Sequence, residues 1–177
     1  MPDQLNLEVL VVDDAATLRA YMEAFLTERG CRVRTAENGK AATAALRGYQ
    51  PDLIFLDFHM PEMDGFTMLR ALQSEPDWSG IPIFVLTGKA LDDGTSGMIK
   101  QEPNVRAVLS KPTDERTLSK VLREFAISKG KFVEAPVPAD GAGAPAADAA
   151  QFGTGIETFS LKDLENPKKP KPPDPKP

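Results

Sequence analysis

The sequence predicts an α/β fold in which a parallel β-sheet lies between two layers of helices. Residues 1–128 alternate between short apolar, β-branched runs and segments whose apolar residues recur with a helical period. Three of the runs, at 8–12, 52–57 and 81–87, are almost continuously apolar, which is typical of strands covered on both faces. The alternation therefore predicts five consecutive βα units around one sheet.

The five predicted strands carry different amounts of apolar surface. In chain order they cover residues 8–12, 31–36, 52–57, 81–87 and 105–110. The second, CRVRTA, alternates polar and apolar residues, as a half-exposed strand or a strand at the edge of a sheet does. The first, third and fourth are nearly all apolar, so we expect them in the buried part of the sheet.

Four helices are predicted from the spacing of apolar residues. They cover residues 15–29, 38–48, 64–74 and 113–128. The last is clearly amphipathic, with Leu118, Leu122 and Phe125 on one face, and Gly30 closes the first. The connection at 88–104 has two internal glycines and few apolar residues, so we expect a helix there to be short or mobile.

Composition excludes several classes of protein. The chain has 177 residues, of which 41% are hydrophobic and 27% charged, as in an ordinary globular core. No run approaches the roughly 18 apolar residues of a membrane span, and the start, MPDQLNLEVL, shows no secretory signal. The single cysteine, Cys31, excludes an intrachain disulfide and a cysteine-based metal cluster. We therefore expect a cytoplasmic protein, and its net charge of −5 argues against broad binding to nucleic acid.

Residues 129–177 differ in composition from the part before them. Nine of the 16 prolines lie there, beside Ala-rich stretches, and such a segment cannot bury enough apolar surface to fold. We therefore expect a disordered, low-complexity tail. One island, GIETFSLKDLEN at 155–166, carries Ile156, Phe159 and Leu164 and is interpreted as a short helix that docks a partner. An inert linker with a few apolar residues is the alternative.

Polar side chains that could carry chemistry follow the predicted strands. They are Asp13 and Asp14 after the first strand, Asp57 after the third, Thr87 after the fourth and Lys111 after the fifth. Because the carboxyl ends of parallel strands share one edge of a sheet, these side chains are predicted to lie together. Three clustered carboxylates repel one another unless a cation offsets their charge, and oxygen ligands favour Mg²⁺. A lysine and a hydroxyl opposite the metal would stabilise a transferring phosphoryl group.

Each of these residues has an ordinary structural interpretation when it is taken alone. Asp13 or Asp14 could cap the first helix, and Asp57 could begin a turn. Thr87 could be a plain strand residue, and Lys111 could be solvated. The hypothesis of a functional site therefore depends on all five lying at one edge of the predicted sheet.

A set of short motifs gives the predicted domain the pattern of a known family. In order they are Asp13-Asp14, Asp57, Met60-Pro61, Asp64-Gly65, Thr87 and Lys111-Pro112. This order and spacing resembles the receiver domain of bacterial two-component response regulators, over about residues 6–128. The resemblance implies a flavodoxin-like (βα)5 fold, a doubly wound parallel sheet with strand order 2-1-3-4-5, followed by the tail at 129–177.

The resemblance also implies the chemistry of the site. Asp57 would accept a phosphoryl group from a phosphohistidine of a sensor histidine kinase or a histidine phosphotransfer protein. Asp14 and Asp57 would bind Mg²⁺ together with the backbone carbonyl of His59, and Asp13 would act mainly through a bound water. The chain would then catalyse its own aspartyl phosphorylation and dephosphorylation, with no external substrate.

Other residues are assigned by the same resemblance. Thr87 would donate a hydrogen bond to the phosphoryl group and shift on activation. Lys111 would form an ion pair with that group, next to a cis Lys111–Pro112 bond. His59 and Lys89, each two residues after a site residue, would tune the lifetime of the phosphoryl group in a direction that the sequence leaves open.

Two positions depart from the family pattern. Three residues before Lys111 the family usually has an aromatic residue, and this chain has Val108. Many members have Phe after the Lys-Pro pair, and this chain has Thr113. We therefore expect intact phosphorylation chemistry with an unconventional output.

The leading hypothesis is a stand-alone, chemotaxis-regulator-like response regulator that switches protein contacts, with a phosphorylation-dependent homodimer as an open question. We expect no DNA-binding domain on this chain. The alternative is a non-switching adaptor that binds partners through its tail or through the face of the fourth helix and fifth strand. A flavodoxin is rejected because Ala15-Ala16 stands where its phosphate loop would be, and a haloacid-type phosphatase because it needs Asp at the position of His59.

Overall fold

The structure, a computed structural model, describes residues 4–61, 63, 65–88 and 93–133 of the chain. Several sequence predictions fall outside these ranges. They concern most of the tail, its docking segment at 155–166, the role of Lys89 and the Asp64 of the Asp-Gly motif.

Within the described ranges, five parallel strands form one sheet. Their bounds are β1 (Glu8–Val12), β2 (Arg32–Ala36), β3 (Leu53–Asp57), β4 (Ile83–Thr87) and β5 (Val105–Ser110). They pair in the order β2-β1-β3-β4-β5, which confirms the predicted flavodoxin-like topology. The polar side chains of CRVRTA follow from the place of β2 at one edge of the sheet, where most of its residues are exposed.

In the part of the chain that the structure describes, one helix follows each strand, which gives five helices. Their bounds are α1 (Ala16–Glu28), α2 (Gly39–Leu46), α3 (Gly65–Ser74), α4 (Asp93–Gln101) and α5 (Glu115–Ser128). The helix within 88–104 is short, as predicted, since α4 has nine residues and contains two glycines. The N-cap side chain of Asp114 accepts a hydrogen bond from the backbone N–H of Thr117, which satisfies a free donor at the start of α5. None of the helices in the described ranges is long and apolar enough to cross a bilayer.

The sheet separates two apolar cores. Along β1, Val9 and Val11 face the core covered by α1 and α5, while Leu10 and Val12 face the core covered by α2, α3 and α4. β3 and β4 are buried along their whole length. Burial on both faces holds these strands firmly, so the residues at their carboxyl ends have well-determined positions.

Residues beyond α5 fold back onto the amino-terminal end of the sheet, and we call residues 131–133 the clasp. Lys131 Nζ lies 2.7 Å from Asp52 Oδ2, and the backbone of Val133 exchanges two hydrogen bonds with Gln4. Phe132 packs against the core under α1 and α5. The clasp extends past residue 128, the predicted end of the domain, and it lies at the end of the sheet opposite to the carboxyl ends of the strands.

Candidate functional site

The pairing of the strands brings their final residues together at one edge of the sheet. Val12 of β1 pairs with Leu56 of β3, so the next residues, Asp13 and Asp57, stand next to each other at the ends of neighbouring strands. Thr87 ends the adjacent strand β4. Thus the sheet register gathers the side chains that the sequence predicts to meet.

Burial differs among the acidic residues of this edge. Asp13 is 0% exposed and Asp57 is 3% exposed, whereas Asp14 is exposed to solvent. One carboxylate oxygen from each of the three aspartates lies within 4.8 Å of the others. Negative charges this close in a partly dry environment require cations to balance them.

Lys111 supplies one such cation. Its Nζ lies 2.5 Å from Asp13 Oδ2 and 2.9 Å from Asp57 Oδ2, and its backbone N–H donates to the carbonyl of Thr87 at 2.7 Å. Burial lowers the pKa of the Lys111 ammonium, but hydrogen bonds to Asp13 and Asp57 outweigh burial and raise the pKa above its ordinary value. Lys111 is therefore charged at neutral pH, and the Lys111–Pro112 bond is cis, as expected.

Asp13 is engaged by the protein at both carboxylate oxygens. Oδ1 accepts a hydrogen bond from the backbone N–H of Ala15 at 2.8 Å, and Oδ2 contacts Lys111. The N-cap residue of α1 is Ala15. Neither aspartate is therefore the N-cap residue of α1, the ordinary alternative for this pair, although Asp13 does bind the N-cap backbone N–H.

The loop after β3 holds Asp57 from the other side. The backbone N–H of His59 donates to Asp57 Oδ1 at 3.1 Å, and the backbone N–H of Gly65 donates to the carbonyl of Phe58 at 3.1 Å. The His59 side chain is exposed, and Met60 is buried in the core under α2, α3 and α4. The Met-Pro turn is thus anchored by one buried side chain while the imidazole stays at the surface.

Comparisons with known proteins agree with this arrangement. Residues 9–123 match the family model described as the response regulator receiver domain. The chain belongs to this receiver family. The receiver is 35% identical to the protein PilH of Pseudomonas aeruginosa over 114 residues, which cover 64% of this chain and 93% of PilH.

Two further proteins are similar to the receiver. PilG of Pseudomonas aeruginosa is 34% identical over 95 residues, which cover 53% of this chain and 70% of PilG. Among solved structures, the chemotaxis protein CheY4 of Vibrio cholerae is 29% identical, with a TM-score of 0.62. That match covers 68% of this chain and 98% of CheY4.

The donor set of the receiver fits Mg²⁺. Hard carboxylate oxygens, one of them on the exposed Asp14, are the ligands that this ion prefers, and the metal usually keeps several waters. Both oxygens of Asp13 and both oxygens of Asp57 already contact protein groups, which leaves the exposed Asp14 as the most available of the three for direct coordination.

Arg19 is a residue of the receiver site that sequence reasoning missed. From the second turn of α1, its Nη1 donates to the backbone carbonyls of Asp13 at 2.7 Å and Asp14 at 3.1 Å. It therefore ties the β1–α1 loop to the helix that follows it. The spacing of six residues from Asp13 carries no signal by itself, because the contact depends on how α1 packs on the sheet.

The positions that depart from the family pattern are also defined in the receiver. Val108 is half-buried and packs against the core under α2, α3 and α4. Thr113 Oγ1 donates to the carbonyl of Ser110 at 2.9 Å and so helps to close the turn after β5. A small aliphatic side chain thus stands on β5 where the family usually has an aromatic ring.

Proposed function

We propose that this receiver accepts a phosphoryl group on Asp57 from a phosphohistidine of a sensor histidine kinase or a histidine phosphotransfer protein. The observation that supports it best is the setting of Asp57, which ends a buried strand beside two other aspartates and the Lys111 ammonium. Mg²⁺ would be held by Asp14, Asp57 and the His59 carbonyl, in a protein that acts in the bacterial cytoplasm.

In the transfer step, a carboxylate oxygen of Asp57 attacks phosphorus and forms an O–P bond. The P–N bond to the donor imidazole breaks, and its electron pair returns to the imidazole nitrogen. Mg²⁺, when bound, would neutralise charge on the phosphoryl oxygens. The ammonium of Lys111, already 2.9 Å from Asp57 Oδ2, can form an ion pair with the incoming phosphoryl group. The hydroxyl of Thr87 can donate a hydrogen bond to a phosphoryl oxygen.

Water later hydrolyses the aspartyl phosphate, and the residues around the site set how long it lasts. His59 is exposed and only two residues from Asp57, so we expect its imidazole to lie near the path by which water reaches the phosphoryl group. We propose that His59 and Lys89 both tune this lifetime. The rate at which the phosphoryl group is lost would be measured in the parent, His59→Asn and Lys89→Glu. Identical rates in all three would reject this role.

The proposed output is a change of protein contacts. Phosphorylation adds charge and acceptor oxygens next to Thr87, and a shift of Thr87 can bias a two-state surface. The similarity to the chemotaxis protein CheY4 suggests chemotaxis or motility as the type of pathway. Sedimentation velocity with and without beryllofluoride would show whether the activated receiver also forms a homodimer.

The test of the proposed function is labelling by acetyl phosphate in the presence of Mg²⁺. One phosphoryl group per chain is expected, and labelling should be lost in Asp57→Asn and on chelation of the metal. Asp77→Asn is the matched control because Asp77 is exposed near the opposite end of the sheet. Failure of the parent to label would overturn the proposal. Labelling without any change in structure or in captured partners would favour a non-switching adaptor.

A further inference from the structure

An apolar groove runs between α1 and α5 beside the strand-end site. Its volume is about 530 Å³. The lining residues are Leu18, Tyr21, Met22, Leu86, Lys111, Pro112, Thr113 and Leu118. The charged residue among them is Lys111, the same side chain that contacts Asp57. Anything that occupies the groove therefore lies against a residue of the proposed phosphorylation site.

The groove leaves apolar surface open to solvent. Tyr21 is 40% exposed, and its hydroxyl reaches across to Glu115 Oε1 at 3.4 Å. Covering this apolar lining with apolar side chains of another segment would be favourable. A suitable occupant would offer several apolar side chains within a short stretch.

The chain itself contains such a stretch. Residues 134–177 include six large apolar side chains, and four of them lie in GIETFSLKDLEN at 155–166. They are Ile156, Phe159, Leu161 and Leu164.

The clasp fixes the position of Val133, from which the chain must reach the groove. The clasp holds Val133 near the carboxyl end of α5, whereas the groove lies at the amino end of that helix, beside Thr113 and Leu118. α5 has 14 residues and so is about 21 Å long. The 21 residues at 134–154 would span about 25 Å on average as a flexible linker. The linker therefore matches the distance that it has to cover.

We propose that segment 155–166 of this chain occupies the groove between α1 and α5 and restricts access to Lys111 and Asp57. The docking of the segment is inferred from the apolar lining of the groove, the length of the linker and the position of the clasp. The effect on phosphorylation rests in addition on the proposed function. The tail is then an internal competitor of the phosphodonor.

The expected occupancy follows from the length of the tether. A short flexible linker gives a local concentration on the order of 1 mM, so a contact with a Kd of about 1 mM fills the groove about half the time. Release of the segment should then raise the rate of phosphorylation about twofold. A tighter contact gives a larger increase.

The docking can be tested in the full chain with a spin label on the segment. Ser160→Cys introduces a reactive thiol, because the native Cys31 is buried. A nitroxide at position 160 should broaden amide resonances most strongly around residues 18–22 and 111–118. Uniform broadening over all faces, or a maximum on α3 or α4, would overturn the docking.

Matched variants separate docking from a general effect of the tail. In the labelled chain, Phe159→Asp with Leu164→Asp should abolish the local broadening, whereas Val137→Asp with Phe152→Asp should leave it. In the unlabelled chain, the first pair should speed labelling by acetyl phosphate about twofold, and the second should not. Equal behaviour of the two pairs would overturn the proposal.

The groove side has its own pair of variants, and they keep the two proposals distinguishable. Tyr21→Ser should weaken the broadening, while Met98→Ser, at an apolar residue of α4 that is 48% exposed, should not. If both variants kept the local broadening, docking at this groove would be contradicted. A chain that shows the local broadening but takes no label from acetyl phosphate would sustain the docking and reject the proposed function.

Discussion

Gly65 offers the sharpest test of how closely the loop around Asp57 is packed. A Cβ atom at this position would lie 2.7 Å from the Cα of Phe58 and 2.9 Å from the carbonyl oxygen of Asp57. Ordinary contacts begin at about 3.4 Å, so about 0.7 Å of separation is missing at the closer atom. Both neighbours are backbone atoms, which cannot rotate away as the end of a long side chain can.

The cost of Gly65→Ala follows from this geometry. Overpacking that forces a backbone shift costs about 1–3 kcal/mol of folding free energy. The shift falls on the peptide of Asp57, the proposed phosphoacceptor, and a displacement approaching 1 Å can reduce a reaction rate by about 100-fold. We therefore expect Gly65→Ala to lose about 1–3 kcal/mol of stability and about 10- to 100-fold in phosphorylation rate.

Gly97→Ala is the matched control, with the same chemical change inside α4. No atom lies within 4 Å of a Cβ at Gly97, so the substitution should stabilise the fold by about 0.5–1 kcal/mol through helix propensity. Stability would be measured by urea unfolding, and phosphorylation rate by labelling with acetyl phosphate, for both variants. A Gly65→Ala protein with parental stability and rate would refute the account of the loop.

Three further predictions concern separate parts of the receiver. Burial raises the pKa of the Cys31 thiol from 9.0 to about 11. The neutral thiol therefore contributes its full share of the free energy of unfolding below pH 9, and this share is lost between about pH 9 and 11. The stability difference between parent and Cys31→Ala should fall by up to about 2.7 kcal/mol over that range in urea titrations, and a constant difference would contradict this. Asp52→Ala, which removes the acceptor of the Glu8 N–H as well as the partner of Lys131, should cost about 2 kcal/mol. Lys131→Ala should cost below about 1 kcal/mol, and equal losses would argue against this hydrogen-bond account. Arg19→Ala should raise the Mg²⁺ concentration for half-maximal labelling about 10-fold, with partial recovery in Arg19→Lys, and an unchanged midpoint would remove Arg19 from the site.

The strands were predictable because the pattern that identifies them is local. A strand buried on both faces must be apolar along its length, and the runs at 8–12 and 52–57 record that requirement directly. The edge strand and the short α4 were predictable for the same reason, since exposure admits polar residues and glycines shorten a helix. The boundary of the domain is less local, because the clasp adds contacts from residues 131–133 that depend on Asp52 and Gln4.

The candidate site was predictable in its members more than in its contacts. A parallel sheet places the carboxyl ends of its strands at one edge, so the order of Asp13, Asp57, Thr87 and Lys111 along the chain is enough to expect them together. Their hydrogen bonds depend on side-chain rotamers and on the loops. For that reason the engagement of both oxygens of Asp13 was not foreseen, and neither was the contact of Arg19 with the loop carbonyls.

Periodicity and motif order along the chain were enough to predict the layered α/β architecture, the family and the residues that gather at the strand ends. The folded structure was needed to show which oxygen contacts Lys111, how closely Gly65 approaches Asp57, and that an open apolar groove lies beside the site. These features arise where segments distant in the chain pack together. Their distances follow from the positions of whole helices and strands, and no local pattern of residues records them.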